Sequence, residues 1–157
     1  LLIHQAPTSG ELIQLELSDI DLEKATIQIK PTSSTNNRIL PLKAEQILLL
    51  HKYVNTDRKA LKTHRNDKNA LLLGKLGTPI QIEDIGYLIS TYQKRYTKRL
   101  TSITIRQSVI TNLLSKGNDL RRVQTFAGHK HLDTTEKYKQ TGIKALQNAI
   151  EKHHPIQ

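Results

Sequence analysis

The sequence predicts a mainly α-helical domain carrying one small antiparallel β-sheet, an α+β arrangement. Three observations predict it. From residue 82 onward, apolar residues recur at helical spacing. Ala25 to Lys30 (ATIQIK) alternates apolar and polar, as a half-buried strand does, and Arg38 to Leu42 (RILPL) reads as a second short strand. The polar, turn-rich stretch Pro31 to Asn37 (PTSSTNN) lies between the two and suits a hairpin loop. At 157 residues the chain is one domain's length, taken as residues 1–157. A chain of that size buries roughly two-thirds of its unfolded surface.

Each element has its own signal. Ser9 to Leu17 places Leu12, Ile13 and Leu17 at helical spacing. The two strands follow, Pro41 ending the second. Ala44 to Val54 predicts a helix with Leu48, Leu49 and Val54 turned inward. Residues 55–70 are polar and poorly patterned, helix or loop, and Leu71 to Leu73 predicts a third strand closed by Gly74. Glu83 to Arg99 carries Ile85, Leu88, Ile89 and Tyr92 on one helical stripe. Ile105 to Lys116 carries Ile105, Val109, Ile110, Leu113 and Leu114, with Gly117 as its cap. Asp119 to Ala127 follows, with Gly128 after it. Asp133 to Glu136 has the spacing of a capping box, so a helix carrying Tyr138 is expected to begin there. A last helix is expected from Ile143 to Lys152, ending near Pro155.

Composition narrows the function. Lys and Arg number 24 against 14 Asp and Glu, a formal net charge of +10. That balance favours a polyanionic partner, nucleic acid before an acidic membrane surface. The charge is uneven: residues 1–50 hold four basic and six acidic side chains, residues 91–139 eleven and three. Lys94, Arg95, Lys98 and Arg99 predict a basic i, i+4 helix face with no acid interleaved, suited to tracking phosphates. Cysteine is absent, which excludes a disulfide scaffold, a thiolate zinc site and a cysteine nucleophile. His129 and His131 stand two apart with no third ligand in view, so no metal site is expected. Apolar runs such as Ile47 to Leu50 fall far below the ~18 residues of a membrane span. Methionine is also absent, and Leu1-Leu2-Ile3 reads like the interior of an apolar segment, so a fragment of something longer is expected.

Three features suggest chemistry, all in the basic half: Arg106 near a helix start, the turn Ala127-Gly128-His129-Lys130, and Tyr138 between Lys137 and Lys139. Taken singly, each has a plainer reading. Arg106 snorkels from a helix end, Gly128-His129 is a helix cap and a turn residue, and Tyr138 is one of five tyrosines, of which one on a helix means little. Lys30, outside that half, likewise reads alone as solvating a strand end.

Taken together they resemble the tyrosine recombinase (phage integrase) family. The stretch ITIRQSVITNLLSKGNDLRRVQTFAGHKHLDTTEKY, residues 103–138, matches the layout of that family's closing block. Upstream, GELIQLELSDIDLEKATIQIK resembles its first helix and strand, and NNRILPL its hairpin. The resemblance implies an integrase-like DNA breaking-rejoining catalytic domain, with an upstream core-binding domain that clamps DNA absent from this chain. It implies cleavage and rejoining of duplex DNA through a 3′-phosphotyrosine intermediate, as in site-specific recombination by mobile elements. No metal or nucleotide cofactor and no membrane partner are expected. Four protomers would assemble on two DNA sites, the isolated fragment being monomeric. The setting would be a prokaryotic cytoplasm, on the nucleoid.

The chemistry explains the residue types. A free phenol has a pKa of ~10, so it needs a cationic setting or a proton acceptor to attack at neutral pH. Charge gathering on a five-coordinate phosphorus suits the planar fork of arginine. The leaving 5′-oxygen needs a proton, which a lysine of lowered pKa can supply. The resemblance therefore implies Tyr138 as nucleophile, Arg106 as a phosphate-binding arginine, His129 as a hydrogen-bond donor to phosphate and Lys30 as general acid. Arg38, Lys94, Arg95, Lys98, Arg99, Arg121, Arg122, Lys130, Lys137 and Lys139 are expected on the DNA.

The departures matter as well. QAPTSGEL puts Thr8 where the family carries its first arginine, and Ile103 stands where it carries a histidine. Gln107 follows Arg106 in place of the usual histidine. Losing one oxyanion donor costs about 3–4 kcal/mol, or ~10²–10³ in rate. Arg38 is the residue expected to swing toward the phosphate and fill the gap. An integrase-type enzyme is thus the first expectation, with impairment through Thr8 and Ile103 open. A catalytically impaired relative serving as a DNA-binding or accessory module is the second. A basic protein-interaction domain without a DNA role is the third.

Overall fold

The computed structural model of the chain describes residues 1–61, 69–97 and 99–139. Helix α1 (Leu2–Gln5) ends at Ala6 in the left-handed region, φ 48°. Thr8 caps α2 (Ser9–Ile13): its hydroxyl accepts from the Glu11 amide at 3.1 Å, while the Thr8 amide donates to the Glu11 carboxylate at 2.7 Å. The expected helix to Leu17 stops at Ile13. Beyond it the chain turns extended to pair with residues 69–71, the Leu71 amide donating to the Leu15 carbonyl and the Leu17 amide to that of Asn69. Leu17 sits instead in a 3-10 turn (Leu17–Asp19).

The sheet has the order β1 (Ile20–Asp21), β2 (Thr26–Ile29), β3 (Arg38–Pro41), all antiparallel. The predicted β2–β3 hairpin is present, with Ile27 opposite Leu40 and Ile29 opposite Arg38. Strand side chains alternate faces. Ile27, Ile29, Arg38 and Leu40 therefore share the buried face, while Gln28 and Ile39 face outward. The third strand is Ile20–Asp21, not Leu71 to Leu73. Of those residues only Leu73 makes a bridge, an isolated one to Pro79, though Leu71 is wholly buried.

Helix α3 (Ala44–Lys52) widens into a π turn (Tyr53–Asp57) and ends as α4 (Arg58–Ala60). Its buried stripe is Gln46, with Ile47, Leu50 and Val54 packed on the core. Leu48 and Leu49, expected inward, are 73% and 69% exposed. The run ILLL offers two adjacent stripes, and the choice is made by Gln46, whose amide exchanges hydrogen bonds of 2.9 Å with Gln5 inside the molecule. Helix α5 (Ile82–Thr91) buries Ile85 and Ile89 and leaves Leu88 and Tyr92 largely exposed. It ends eight residues short of the expected Arg99, passing into a 3-10 turn (Gln93–Arg95).

The C-terminal half follows the sequence reading closely. Helix α6 (Ser102–Ser115) is capped by Thr101 and followed by Gly117 at φ 78°. Helix α7 (Leu120–Ala127) is capped by Asp119 and closed by Gly128 at φ 71°. Helix α8, residues 132–139, starts ahead of the predicted capping box, so Asp133 lies within its first turn. The predicted helix from Ile143 to Lys152 lies outside the described residues.

Two apolar clusters result. The larger joins Leu12, Leu15, Ile27, Ile29, Leu40, Leu42, Leu71, Ile85 and Ile89. The smaller joins Ile110, Val123 and Ala127, with Leu113, Leu114 and Tyr138 packed against it.

Candidate active site

Buried polar groups gather around the α7–α8 turn. Arg38 reaches this region because its strand parity puts it on the core face. Its guanidinium donates to both oxygens of the Glu11 carboxylate, at 2.6 and 3.0 Å. Both side chains are essentially solvent-free, at 2% and 0% exposure. Burial alone would raise the Glu11 pKa, but the Arg38 fork, the Thr35 hydroxyl and the Thr8 amide together hold it below the ordinary value. Arg38 Nε is the one buried side-chain polar atom without a hydrogen-bond partner among the described residues. Gly128 is needed where it packs: a Cβ there would stand 2.5 Å from Arg38 Nη1, and the backbone is left-handed.

Arg106, on the first turns of α6, is also buried. Nη1 donates to the Ala6 carbonyl and Nη2 to the Ala127 carbonyl at 2.6 Å. It thus ties the end of α1 to the end of α7. Each terminal nitrogen keeps a second N–H. The side chain lines a cavity of about 430 Å³ shared with Thr8, Ser9, Ile82, Ser102, Ile103 and Tyr138. Ser9 donates to Ser102 at 2.8 Å at its rim.

His129 follows the glycine cap and is buried. Its Nδ1 lies 2.8 Å from the hydroxyl of the wholly buried Thr135. Three residues on, along the same face of α8, Tyr138 stacks on the imidazole, the ring centroids 5.6 Å apart and the planes 10° from parallel. Burial, then the positive charges of Arg106 and Arg38, push the His129 pKa down to about 4. The imidazole is therefore neutral at pH 7. An unfolded histidine takes up its proton near pH 6.5, so between there and pH 4 the unfolded chain binds the extra proton and folding weakens as pH falls. Unfolding in urea is expected to lose about 3 kcal/mol across this window through His129 alone. A His129→Gln variant is expected to show a visibly flatter pH profile. An unchanged profile overturns this assignment.

The three groups expected at the site thus meet, Tyr138 and Arg106 on one cavity and His129 stacked on the phenol. Two other expectations are corrected. Arg38 does not turn out toward solvent, because both its terminal nitrogens are held by Glu11 in the interior. Lys30 is not drawn into the cluster. Its ammonium bonds Glu16 at 2.7 Å and lies 3.4 Å from Asp19. The Glu16 hydrogen bond raises its pKa, opposite to what a proton donor needs.

Lys94, Arg95, Arg99, Arg121, Arg122, Lys130, Lys137 and Lys139 are exposed. The expected helical basic face is absent, since Lys94 and Arg95 sit in the 3-10 turn and Arg99 in the following loop. Lys98 lies outside the described residues. The sequence reading missed Thr135 as the partner of His129 and Glu11 as the partner of Arg38. A signal existed for both: Thr135 is one helical turn before Tyr138, and Arg38 shares strand parity with Leu40 and Leu42, so a buried counter-ion was required.

Among the described residues no group of three His, Asp or Glu is placed to hold a metal ion. No helix among them is long and apolar enough to cross a membrane. A phenol and a guanidinium on one cavity, with a neutral imidazole stacked on the phenol, are groups whose chemistry suits a phosphate ester. The model of the phage integrase family matches residues 9–143. Tyrosine recombinase XerD of Staphylococcus haemolyticus is 33% identical over 147 residues, covering 92% of this chain and 49% of that protein. Tyrosine recombinase XerC of Chlamydia pneumoniae is 30% identical over 149 residues, covering 93% and 46%. The crystal structure of XerA recombinase superposes with a TM-score of 0.78 at 25% identity, over 99% of this chain and 56% of that one. XerH site-specific recombinase bound to palindromic difH substrate gives 0.76 at 24%, over 94% and 42%. The chain belongs to the phage integrase family, and its fold is that of a tyrosine recombinase catalytic domain. It spans about half the length of the curated relatives it matches.

Proposed function

We propose that this chain is the catalytic domain of a site-specific DNA recombinase, cleaving and rejoining duplex DNA through a 3′-phosphotyrosine on Tyr138. The observation that carries the reading is the convergence of Tyr138 and Arg106 on one cavity, with neutral His129 stacked on the phenol. The phenol oxygen attacks phosphorus and the 5′-oxygen leaves. Arg106 offers its remaining N–H groups to the non-bridging oxygens, already oriented by Ala6 and Ala127, so little reorganisation accompanies the reaction. His129 accepts from the Thr135 hydroxyl at Nδ1 in the tautomer that leaves Nε2–H free for phosphate. The Glu11–Arg38 pair adds no net charge, so Arg106 is the uncompensated cation of the buried cluster. Lys94, Arg95, Arg99, Arg121, Arg122, Lys137 and Lys139 grip the DNA backbone, and retention of DNA falls steeply with salt. Assembly of four protomers on two sites, with the chain monomeric off DNA, and a place on the prokaryotic nucleoid in the cytoplasm belong to the same proposal.

The test is covalent capture. The full-length protein, incubated with nicked duplexes, is expected to give an adduct that survives denaturing electrophoresis and disappears in Tyr138→Phe. One observation favours the second reading, a DNA-binding or accessory module: Thr8 lines the cavity and Arg38 is locked on Glu11, leaving a single guanidinium facing the cavity among the described residues. Salt-sensitive DNA retention without any adduct selects that reading.

A further inference from the structure

The reaction needs a proton for the leaving 5′-oxygen, and Lys30 is engaged elsewhere by two carboxylates. Apart from Lys30, the hairpin loop between β2 and β3 contains no lysine. It is nevertheless docked on the α7–α8 turn. The Asn36 amide donates to the Gly128 carbonyl at 2.8 Å, and Thr35 bridges His129 in antiparallel fashion. Lys130, the residue after His129, extends onto this loop and donates from Nζ to the Ser33 carbonyl at 2.8 Å. The side chain is exposed, and among the described residues no carboxylate lies within ion-pair distance of it. An ammonium held by one neutral carbonyl keeps two N–H bonds for another acceptor. Its backbone is fixed by the same turn that places His129 against Tyr138.

The geometry points to Lys130 as the catalytic proton donor to the 5′-oxygen, a role that rests on the recombinase reading above. In cleavage the Tyr138 oxygen forms a bond to phosphorus and the phenol proton passes to water. The phosphorus–O5′ bond breaks, its electron pair goes to O5′, and that oxygen takes the proton from Lys130 Nζ. In rejoining, the neutral amine takes the proton of the attacking 5′-hydroxyl, the new phosphorus–O5′ bond forms as the bond from phosphorus to the Tyr138 oxygen breaks, and the released phenolate takes a proton from water.

The experiment uses the full-length protein and a nicked duplex pool randomised around the cleavage position, from which one cleaved sequence is recovered by covalent capture. That duplex is then made with oxygen or with sulfur at the 5′-bridging position. A thiolate leaves without protonation near neutral pH, its thiol having a pKa of about 8.5. Lys130→Ala is expected to slow adduct formation on the oxygen substrate by about 10²–10⁴-fold, the range of general acid catalysis. On the sulfur substrate it is expected to keep the wild-type rate within a few-fold. Lys130→Arg, which keeps the charge but releases no proton, should behave as the alanine variant does. Equal slowing on both substrates, no slowing on oxygen, or rescue by sulfur of Lys30→Ala in place of Lys130→Ala overturns the assignment. Wild-type protein that forms no adduct on either substrate overturns the recombinase reading itself, a result distinct from these.

Discussion

Glu11→Ala is expected to destabilise the protein by about 3–5 kcal/mol, the range for removing one partner of a buried ion pair. The reason lies in what remains. Arg38 is 2% exposed, and Glu11 accepts from both its terminal nitrogens. Without the carboxylate, a guanidinium stays in the interior with only the Asn36 carbonyl, 3.4 Å away, to receive it. The Thr8 amide loses its acceptor as well. Urea unfolding at pH 7 measures the effect. A double variant, Glu11→Leu with Arg38→Met, is expected to recover much of the loss, because apolar replacement of a whole buried pair is often neutral. A double variant as unstable as the single one would mean that the pair acts through geometry and not through the stranded charge. Protonation should mimic the substitution. The folded pKa of Glu11 is depressed, so its contribution is full above the ordinary glutamate range and disappears as pH falls through the lower folded value.

Arg106→Lys is expected to slow covalent adduct formation by about 10²–10³-fold or more, the effect of deleting one oxyanion donor. The charge survives, but the fork does not. Arg106 spends one N–H on Ala6 and one on Ala127 before it meets any substrate. A lysine ammonium cannot span both carbonyls while facing the cavity. One buried carbonyl left without a donor adds about 1–3 kcal/mol of instability. The rate of adduct formation and the urea midpoint, measured on the same preparation, separate the two effects. A lysine variant of wild-type rate would show that the bidentate geometry is dispensable.

The elements legible in the sequence are those whose signals are local. The hairpin was readable because alternation in ATIQIK and RILPL brackets a turn-rich loop, and α6 and α7 because their apolar spacing is helical and Gly117, Asp119 and Gly128 mark their ends. The spacing of Arg106, His129 and Tyr138 on those elements was readable for the same reason. The inward face of α3 was not, since four consecutive apolar residues satisfy more than one stripe until Gln46 meets Gln5. Nor was the end of α2, which is set by pairing with a segment more than fifty residues away.

By itself, then, the order of residues determined the helical and hairpin framework, the basic half and the three groups suited to a phosphate ester, because propensity, capping and periodicity act over a few neighbours. The tertiary structure alone decided the fate of the remaining charges. It buried Arg38 against Glu11, drew Lys30 to Glu16 and Asp19, and laid Lys130 on the hairpin loop. Those outcomes depend on which distant groups share a low-dielectric interior, where an unpaired charge is costly and a partner close in space outweighs one close in sequence.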